Sequence, residues 1–189
     1  MNLKEAKEIV GSALSATSKM PCFSFNLSAL DCKTGSQLVH VPGSVCFGCY
    51  ALKGNYHRYK LPVKMQHKTI RIDHADWVEA LTYMIKNQGN KRDKSFFRWH
   101  DSGDIQSIEH LKKIVEVCNN TPNIKHWIPS REYKIIRSYI INYGDLPSNL
   151  CLRLSAHMID TKPPSIKGLC TSSVHKDSEP IGIGCESYK

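Results

Sequence analysis

Apolar and polar positions follow two different periods along the middle of the chain. Short apolar runs typical of buried strands occur at residues 95–100, 124–128 and 150–156. Segments with helical periodicity follow the first two runs, at residues 107–120 and 132–143. Strands that alternate with such helices are typical of βαβ units. We therefore predict an α/β fold in which three or more βα units form a parallel sheet or a partial barrel.

Further elements are predicted upstream of this pattern. Apolar residues on one side of residues 3–14 indicate a short amphipathic helix, and the alternation in residues 23–30 indicates a short strand. Residues 73–86 predict a helix with Asp73 as its N-cap, and Ser107 is the predicted N-cap of the helix that follows residue 107.

The length of 189 residues suits one domain, and we predict a single domain over residues 1–189. Within it, residues 73–160 form the predicted βα core. Residues 20–62, rich in Cys, Gly and Pro, predict an irregular N-terminal arm, and residues 161–189 predict an irregular C-terminal arm. A long loop without regular structure is usually functional or held by a metal.

Polar side chains gather where the predicted strands end. In parallel α/β sheets the functional site lies beyond the carboxyl ends of the strands, and burying such groups unpaired costs several kcal/mol. The residues that we predict to be catalytic are His100, Asp101, Asp104, Arg131 and His157. Those predicted to bind an anionic substrate are Arg98, Ser102, Gly103 and Arg153. The alternative is structural: the aspartates cap the next helix, and the arginines pair with them.

The chain has eight cysteines, which favours metal binding or buried thiols over disulfides in a reducing cytosol. Cys46 and Cys49 have the Cys-x2-Cys spacing that lets two thiolates reach one ion. Iron–sulfur and zinc sites both fit; a redox dithiol and plain thiols are the alternatives. The Cys-x3-Cys-x2-Cys loop of radical S-adenosylmethionine enzymes is absent, because its first position is Pro42. Cys118 and Cys151 lie in apolar segments and are predicted to be core residues.

The net charge of +9 favours an anionic partner, either a phosphorylated small molecule or nucleic acid. No apolar run approaches the roughly 18–20 residues that span a bilayer, and no signal peptide is evident. We therefore expect a cytoplasmic protein without a membrane partner.

Four segments resemble one known family. CYALKGNY, RWHDSGDIQSIEHL, HWIPSREY and LRLSAHMID are similar to segments of the phage family called gene product 88, and the resemblance covers about residues 18–185. The resemblance implies a bacteriophage or prophage origin, but it supplies no activity, because the family is uncharacterised. The positions that match the family pattern are Cys46, Cys49, His100, Ser102, Gly103, Asp104, Arg131 and Cys185.

Family members continue past the position of Cys185 into a further cysteine-rich segment, so a chain ending at Lys189 is expected to be a shortened form with fewer ligands. The metal ligands that we predict are Cys32, Cys46, Cys49 and Cys185.

Three functions fit these observations. The first is an enzyme with a thiolate-bound iron–sulfur cluster or zinc ion that acts on an anionic substrate at the strand ends. The second is a zinc-stabilised nucleic-acid-binding protein, since aromatic and basic residues stand beside the Cys pair: Tyr50, Tyr56, His57, Arg58 and Tyr59. The third is a phage effector that binds a host protein.

Overall fold

Five parallel strands form one sheet. The structure is a computed structural model that describes residues 1–18 and 20–185. The strands are β1 (Phe23–Phe25), β2 (Phe96–Trp99), β3 (Lys125–Ser130), β4 (Leu150–Ser155) and β5 (Cys170–Ser172), and their order in the sheet is their order in the chain. The predicted α/β fold with a parallel sheet is confirmed. Sequential order is also that of a barrel, but over the described residues β1 and β5 do not pair, so the sheet is open.

Seven α-helices accompany the sheet in residues 1–18 and 20–185. They are α1 (Leu3–Val10), α2 (Lys33–Leu38), α3 (Gly54–Arg58), α4 (Leu61–Arg71), α5 (Trp77–Lys86), α6 (Ile108–Asn119) and α7 (Tyr133–Tyr143). The helices predicted near residues 3–14, 73–86, 107–120 and 132–143 are present as α1, α5, α6 and α7.

One of the two predicted helix caps is confirmed. The Ser107 hydroxyl accepts the backbone N–H of His110 at 3.0 Å and caps α6. The prediction for Asp73 is wrong: the chain makes a tight turn through His74 before α5, and the cap position falls on Asp76, whose side chain accepts no capping hydrogen bond.

The two faces of the sheet differ. One face packs against the helices and buries Phe97, Trp99, Ile128, Leu152 and Leu154. The other face carries the alternate side chains, which are half-buried or exposed: Arg98, Trp127, Pro129, Cys151 and Arg153. Side chains alternate along a strand, so the prediction that Cys151 is a core residue is wrong, whereas Cys118 is buried in α6 as predicted.

The segments predicted to be irregular contain regular elements. Helices α2 and α3 lie within residues 20–62, and β5 lies within residues 161–189. These elements have three to six residues and little apolar periodicity, so tertiary contacts rather than sequence pattern define them. None of the helices in the described part of the chain is long and apolar enough to cross a membrane.

Candidate functional site

A cavity of about 540 Å³ lies over the carboxyl ends of the central strands. Its wall contains ten of the residues predicted to form a site: Cys32, Cys46, Cys49, Arg98, His100, Asp101, Ser102, Gly103, Asp104 and Arg131. They come from segments far apart in sequence, and the parallel sheet brings them together because its strands end at one edge.

Three thiols face this cavity. Cys32 precedes α2, and Cys46 and Cys49 lie in the loop after it. A β-carbon added at Gly35 would lie 3.6 Å from Sγ of Cys32 and 3.9 Å from Sγ of Cys46, so both sulfurs lie close to this glycine. Burial raises the pKa of the Cys32 and Cys46 thiols above the ordinary value. Both are therefore protonated at neutral pH unless a cation binds them.

Two sets of hydrogen bonds hold the thiol segments in place. The carboxylate of Glu132, just beyond β3, accepts the backbone N–H of Thr34 at 2.8 Å and its hydroxyl at 2.9 Å. The loop that carries Cys46 is joined to the segment after β4, where the N–H of Val45 donates to the carbonyl of His157 at 3.0 Å. The thiols are thus anchored to the ends of β3 and β4.

The segment after β2 turns sharply into the cavity wall. His100 has φ of 55°, a left-handed conformation that is rare for a residue other than glycine. Gly103 has φ of 83°, and a β-carbon there would lie 2.6 Å from Cβ of Leu27, so this close approach requires glycine. The Ser102 hydroxyl donates to the carbonyl of Leu27 at 2.8 Å, which makes Ser102 part of this turn.

Asp104 connects the ends of β2 and β3. Its carboxylate accepts hydrogen bonds from the Ser130 hydroxyl at 2.6 Å, from the backbone N–H of Arg131 at 3.0 Å and from that of Ile105 at 2.7 Å. Burial outweighs these bonds and raises the pKa of Asp104 to about 6. The bond from the Arg131 backbone N–H to Asp104 fixes the position of Arg131 at the cavity.

The two cavity arginines differ in their partners. Arg98 forms an ion pair with Asp101 at 3.3 Å and lies 4.7 Å from the ring centre of Trp127. Arg131 has no carboxylate within ion-pair distance among the described residues, and its buried Nε has no hydrogen-bond partner there. Arg131 is consequently the better anion-binding group of the two.

His100 is buried in the wall without a partner. Neither ring nitrogen has a hydrogen-bond partner in the described structure, and burial lowers its pKa to about 3, which leaves the ring neutral. The buried His126 differs, since it accepts from Trp99 Nε1 at 3.2 Å and lies 2.8 Å from the Thr121 hydroxyl. An unpaired buried polar group costs about 1–3 kcal/mol, and a molecule bound in the cavity could offer His100 the hydrogen bonds that would offset this cost.

Three predicted residues do not line the cavity. The His157 ring stacks on that of Tyr133 at 4.1 Å, and its Nε2 donates to the carbonyl of Arg131 at 3.0 Å. Arg153 donates to the carbonyl of Thr171 at 3.3 Å on β5. Cys185 is exposed near the end of the described residues. His157 and Arg153 thus form contacts between elements of the fold and lie outside the cavity wall.

Some wall and support residues were not predicted. Glu132 anchors α2, Trp127 and Pro129 form part of the wall, and Asn26 accepts the backbone N–H of Asp101 at 2.7 Å. Glu132 follows directly after Ser130 and Arg131 at the end of β3, so its position at a strand end is the signal that points to it. Its contact with Thr34 spans 98 positions, which no spacing rule reveals.

Comparisons with known proteins identify the family alone. No curated protein and no solved structure matches this chain. The sequence profile of the family described as Gene product 88 matches residues 1–178. That match includes the whole sheet and every cavity residue, and it agrees with the phage resemblance of the sequence motifs. The chain therefore belongs to the Gene product 88 family.

Proposed function

We propose that the cavity is the active site of an enzyme in which Cys32, Cys46 and Cys49 hold a metal centre and Arg131 binds an anionic substrate beside it. The observation that carries this proposal is the convergence of Cys32 and the Cys46–Cys49 loop on one cavity, whose wall also holds Arg131, an arginine without an ion-pair partner among the described residues. We further propose that the protein acts in the host cytoplasm, where thiols stay reduced.

The thiol environment supports a metal centre over a redox dithiol. Reactive cysteines have lowered pKa values, whereas burial raises those of Cys32 and Cys46. A bound cation reverses this effect, because it stabilises the thiolates that it coordinates.

The form of the centre that we propose is an iron–sulfur cluster rather than a single zinc ion. Across residues 1–18 and 20–185, no group of three or more His, Cys, Asp or Glu side chains is arranged around one ion position. A cluster joins its ligands through several metal atoms and sulfides, so it can connect thiolates that lie farther apart. Bound by three cysteines, it would supply a metal with one coordination position left for substrate.

The remaining wall residues have separate roles toward the substrate. Arg131 offers a guanidinium that can hold a carboxylate or phosphate through two hydrogen bonds. The neutral ring of His100 can donate one hydrogen bond and accept another, which gives it a partner that it otherwise lacks. Arg98 is already paired with Asp101 and lies against the Trp127 ring, so it forms part of the cavity wall and is the weaker anion-binding group.

Metal and sulfide analysis of anaerobically purified protein tests the proposal. We expect bound iron with acid-labile sulfide, which is lost in Cys32→Ser, Cys46→Ser and Cys49→Ser. The control is Cys151→Ser, which changes an exposed thiol outside the cavity and should retain the metal. Protein without iron or zinc, or metal retained when all three cavity cysteines are replaced, would refute the metal centre.

A further inference from the structure

The positive charge of the chain is concentrated in residues 53–71. This segment includes α3 and α4 and contains six of the 26 Lys and Arg residues but none of the 17 Asp and Glu residues. One tenth of the chain therefore carries two thirds of the net charge of +9. An ordinary solvated surface mixes both signs, so this segment differs from the rest of the protein.

Most of these cations are available to a partner. Five are exposed, namely Lys53, Arg58, Lys60, Lys64 and Arg71. None forms an ion pair with a carboxylate in the part of the chain that the structure describes. Exposed cations without ion-pair partners attract polyanions at low ionic strength.

Aromatic side chains stand among the cations and connect them to the cavity. Tyr59 is 54% exposed, and the Arg58 guanidinium lies 5.8 Å from its ring centre. Tyr50 is 60% exposed and lines the cavity. The hydroxyl of Tyr56, in α3, donates to the Asp101 carboxylate at 2.8 Å. A polyanion bound along this segment would therefore pass the mouth of the cavity.

We propose that the surface of α3 and α4, residues 53–71, binds single-stranded nucleic acid. The cations neutralise backbone phosphates, and the exposed tyrosine rings stack on unpaired bases, which a duplex does not offer. The proposal concerns a surface next to the cavity, so it stands whether or not the cysteines hold a metal.

Fluorescence anisotropy with a labelled oligothymidylate of about 20 nucleotides tests this proposal. We expect binding at about 50 mM salt that weakens steeply as salt is added. Arg58→Glu combined with Lys64→Glu should weaken binding at least roughly tenfold and reduce the log–log salt slope by about 1.4, since each lost phosphate contact contributes about 0.7. The matched control is Lys134→Glu combined with Arg137→Glu on α7, which makes the same charge change at two exposed positions.

A second pair of variants separates stacking from charge. Tyr59→Ala should weaken binding by roughly tenfold, whereas Tyr59→Phe should leave it unchanged, because the ring rather than the hydroxyl stacks on a base. Absence of binding at about 50 mM salt would overturn the proposal, as would equal weakening in the α7 control. Binding to phosphatidylserine vesicles without binding to the oligonucleotide would assign the surface to a membrane and would also overturn it.

Discussion

Three buried histidines differ in the hydrogen bonds of their ring nitrogens: His100 after β2, His110 in α6 and His126 in β3. His126 has both ring nitrogens engaged, one with Trp99 and one with Thr121. His110 accepts the backbone N–H of Gln106 through Nδ1 at 3.1 Å, and its Nε2 has no hydrogen-bond partner among the described residues. Within the described part of the chain, His100 has no hydrogen-bond partner on either ring nitrogen, and its backbone is left-handed. Strain and unpaired groups persist where function requires them, so His100 is the residue that a bound molecule best explains.

This contrast predicts opposite effects of two similar substitutions. His100→Leu removes unpaired buried nitrogens, so the free energy of unfolding should stay within about 1 kcal/mol of the wild type or rise. His126→Leu leaves the Trp99 and Thr121 groups without partners and should lower it by about 1–3 kcal/mol. Urea denaturation measures both. Equal destabilisation by the two substitutions would mean that His100 serves packing.

At the scale of elements, α2 determines whether Cys32 reaches the other thiols. This helix has six residues and no side-chain cap of its own, and the Glu132 carboxylate holds its first turn. Gly35 lies within it, where a β-carbon would come 2.9 Å from Cβ of Cys32. The packing of α2 therefore leaves no room for a larger residue beside the thiol.

Gly35→Ala tests this packing. The added methyl group must displace Cys32, so we expect a loss of stability of about 1–3 kcal/mol and at least about a twofold loss of bound metal. The control is Gly89→Ala, at a position where a β-carbon meets no atom within 4 Å. That substitution should change stability by less than about 1 kcal/mol and leave the metal content unchanged. Equal metal content in both variants would exclude α2 from the metal site.

The elements that the sequence predicted are those with strong patterns. The strands near residues 95–100, 124–128 and 150–156 have apolar runs, and α6 and α7 have helical periodicity, because each buries one face against the sheet. The strand-end rule also selected most of the cavity wall, including His100 to Asp104 and Arg131.

The remaining elements lack such patterns. Helices α2 and α3 and strand β5 are too short to show a period, and long-range contacts such as that between Thr34 and Glu132 fix their positions. The same reason explains the thiol site: the Cys46 and Cys49 spacing is visible in the sequence, but the place of Cys32 beside them depends on how α2 packs. Cys151 lies in an apolar segment, but side chains alternate along β4 and this one is exposed, so the prediction of a core residue is wrong.

For the whole molecule, buried titratable groups determine how stability depends on pH. Burial lowers the pKa of His100 to about 3 and that of His126 to about 4, and it lowers the pKa of His110 well below the ordinary value. All three are neutral in the folded chain, whereas they take up protons near pH 6.5 when unfolded. Their contribution to the free energy of unfolding is therefore complete above about pH 6.5, and it is lost as the pH falls toward their pKa values in the folded chain.

Acidification should accordingly destabilise the protein. Below about pH 6.5, protonation of each of the three histidines in the unfolded chain lowers the free energy of unfolding by about 1.4 kcal/mol per pH unit. Asp104 opposes this effect, because its raised pKa of about 6 makes its contribution decline as the pH rises between about 4 and 6. One carboxyl does not offset three histidines, so the free energy of unfolding should fall between about pH 6.5 and 5 in urea titrations. A constant or rising value over that interval would contradict the buried, neutral histidines.

The function that we propose for the whole molecule requires Cys32, Cys46 and Cys49 to share one metal centre at the cavity. X-ray absorption at the iron and zinc edges of the anaerobically purified protein tests it most directly. We expect iron surrounded by sulfur at about 2.3 Å, a distance typical of metal–thiolate bonds, with additional metal–metal scattering from a cluster. Zinc with sulfur ligands and no metal–metal scattering would indicate a single zinc ion in place of the proposed cluster. A spectrum with only oxygen and nitrogen neighbours, or protein free of both metals, would contradict the claim.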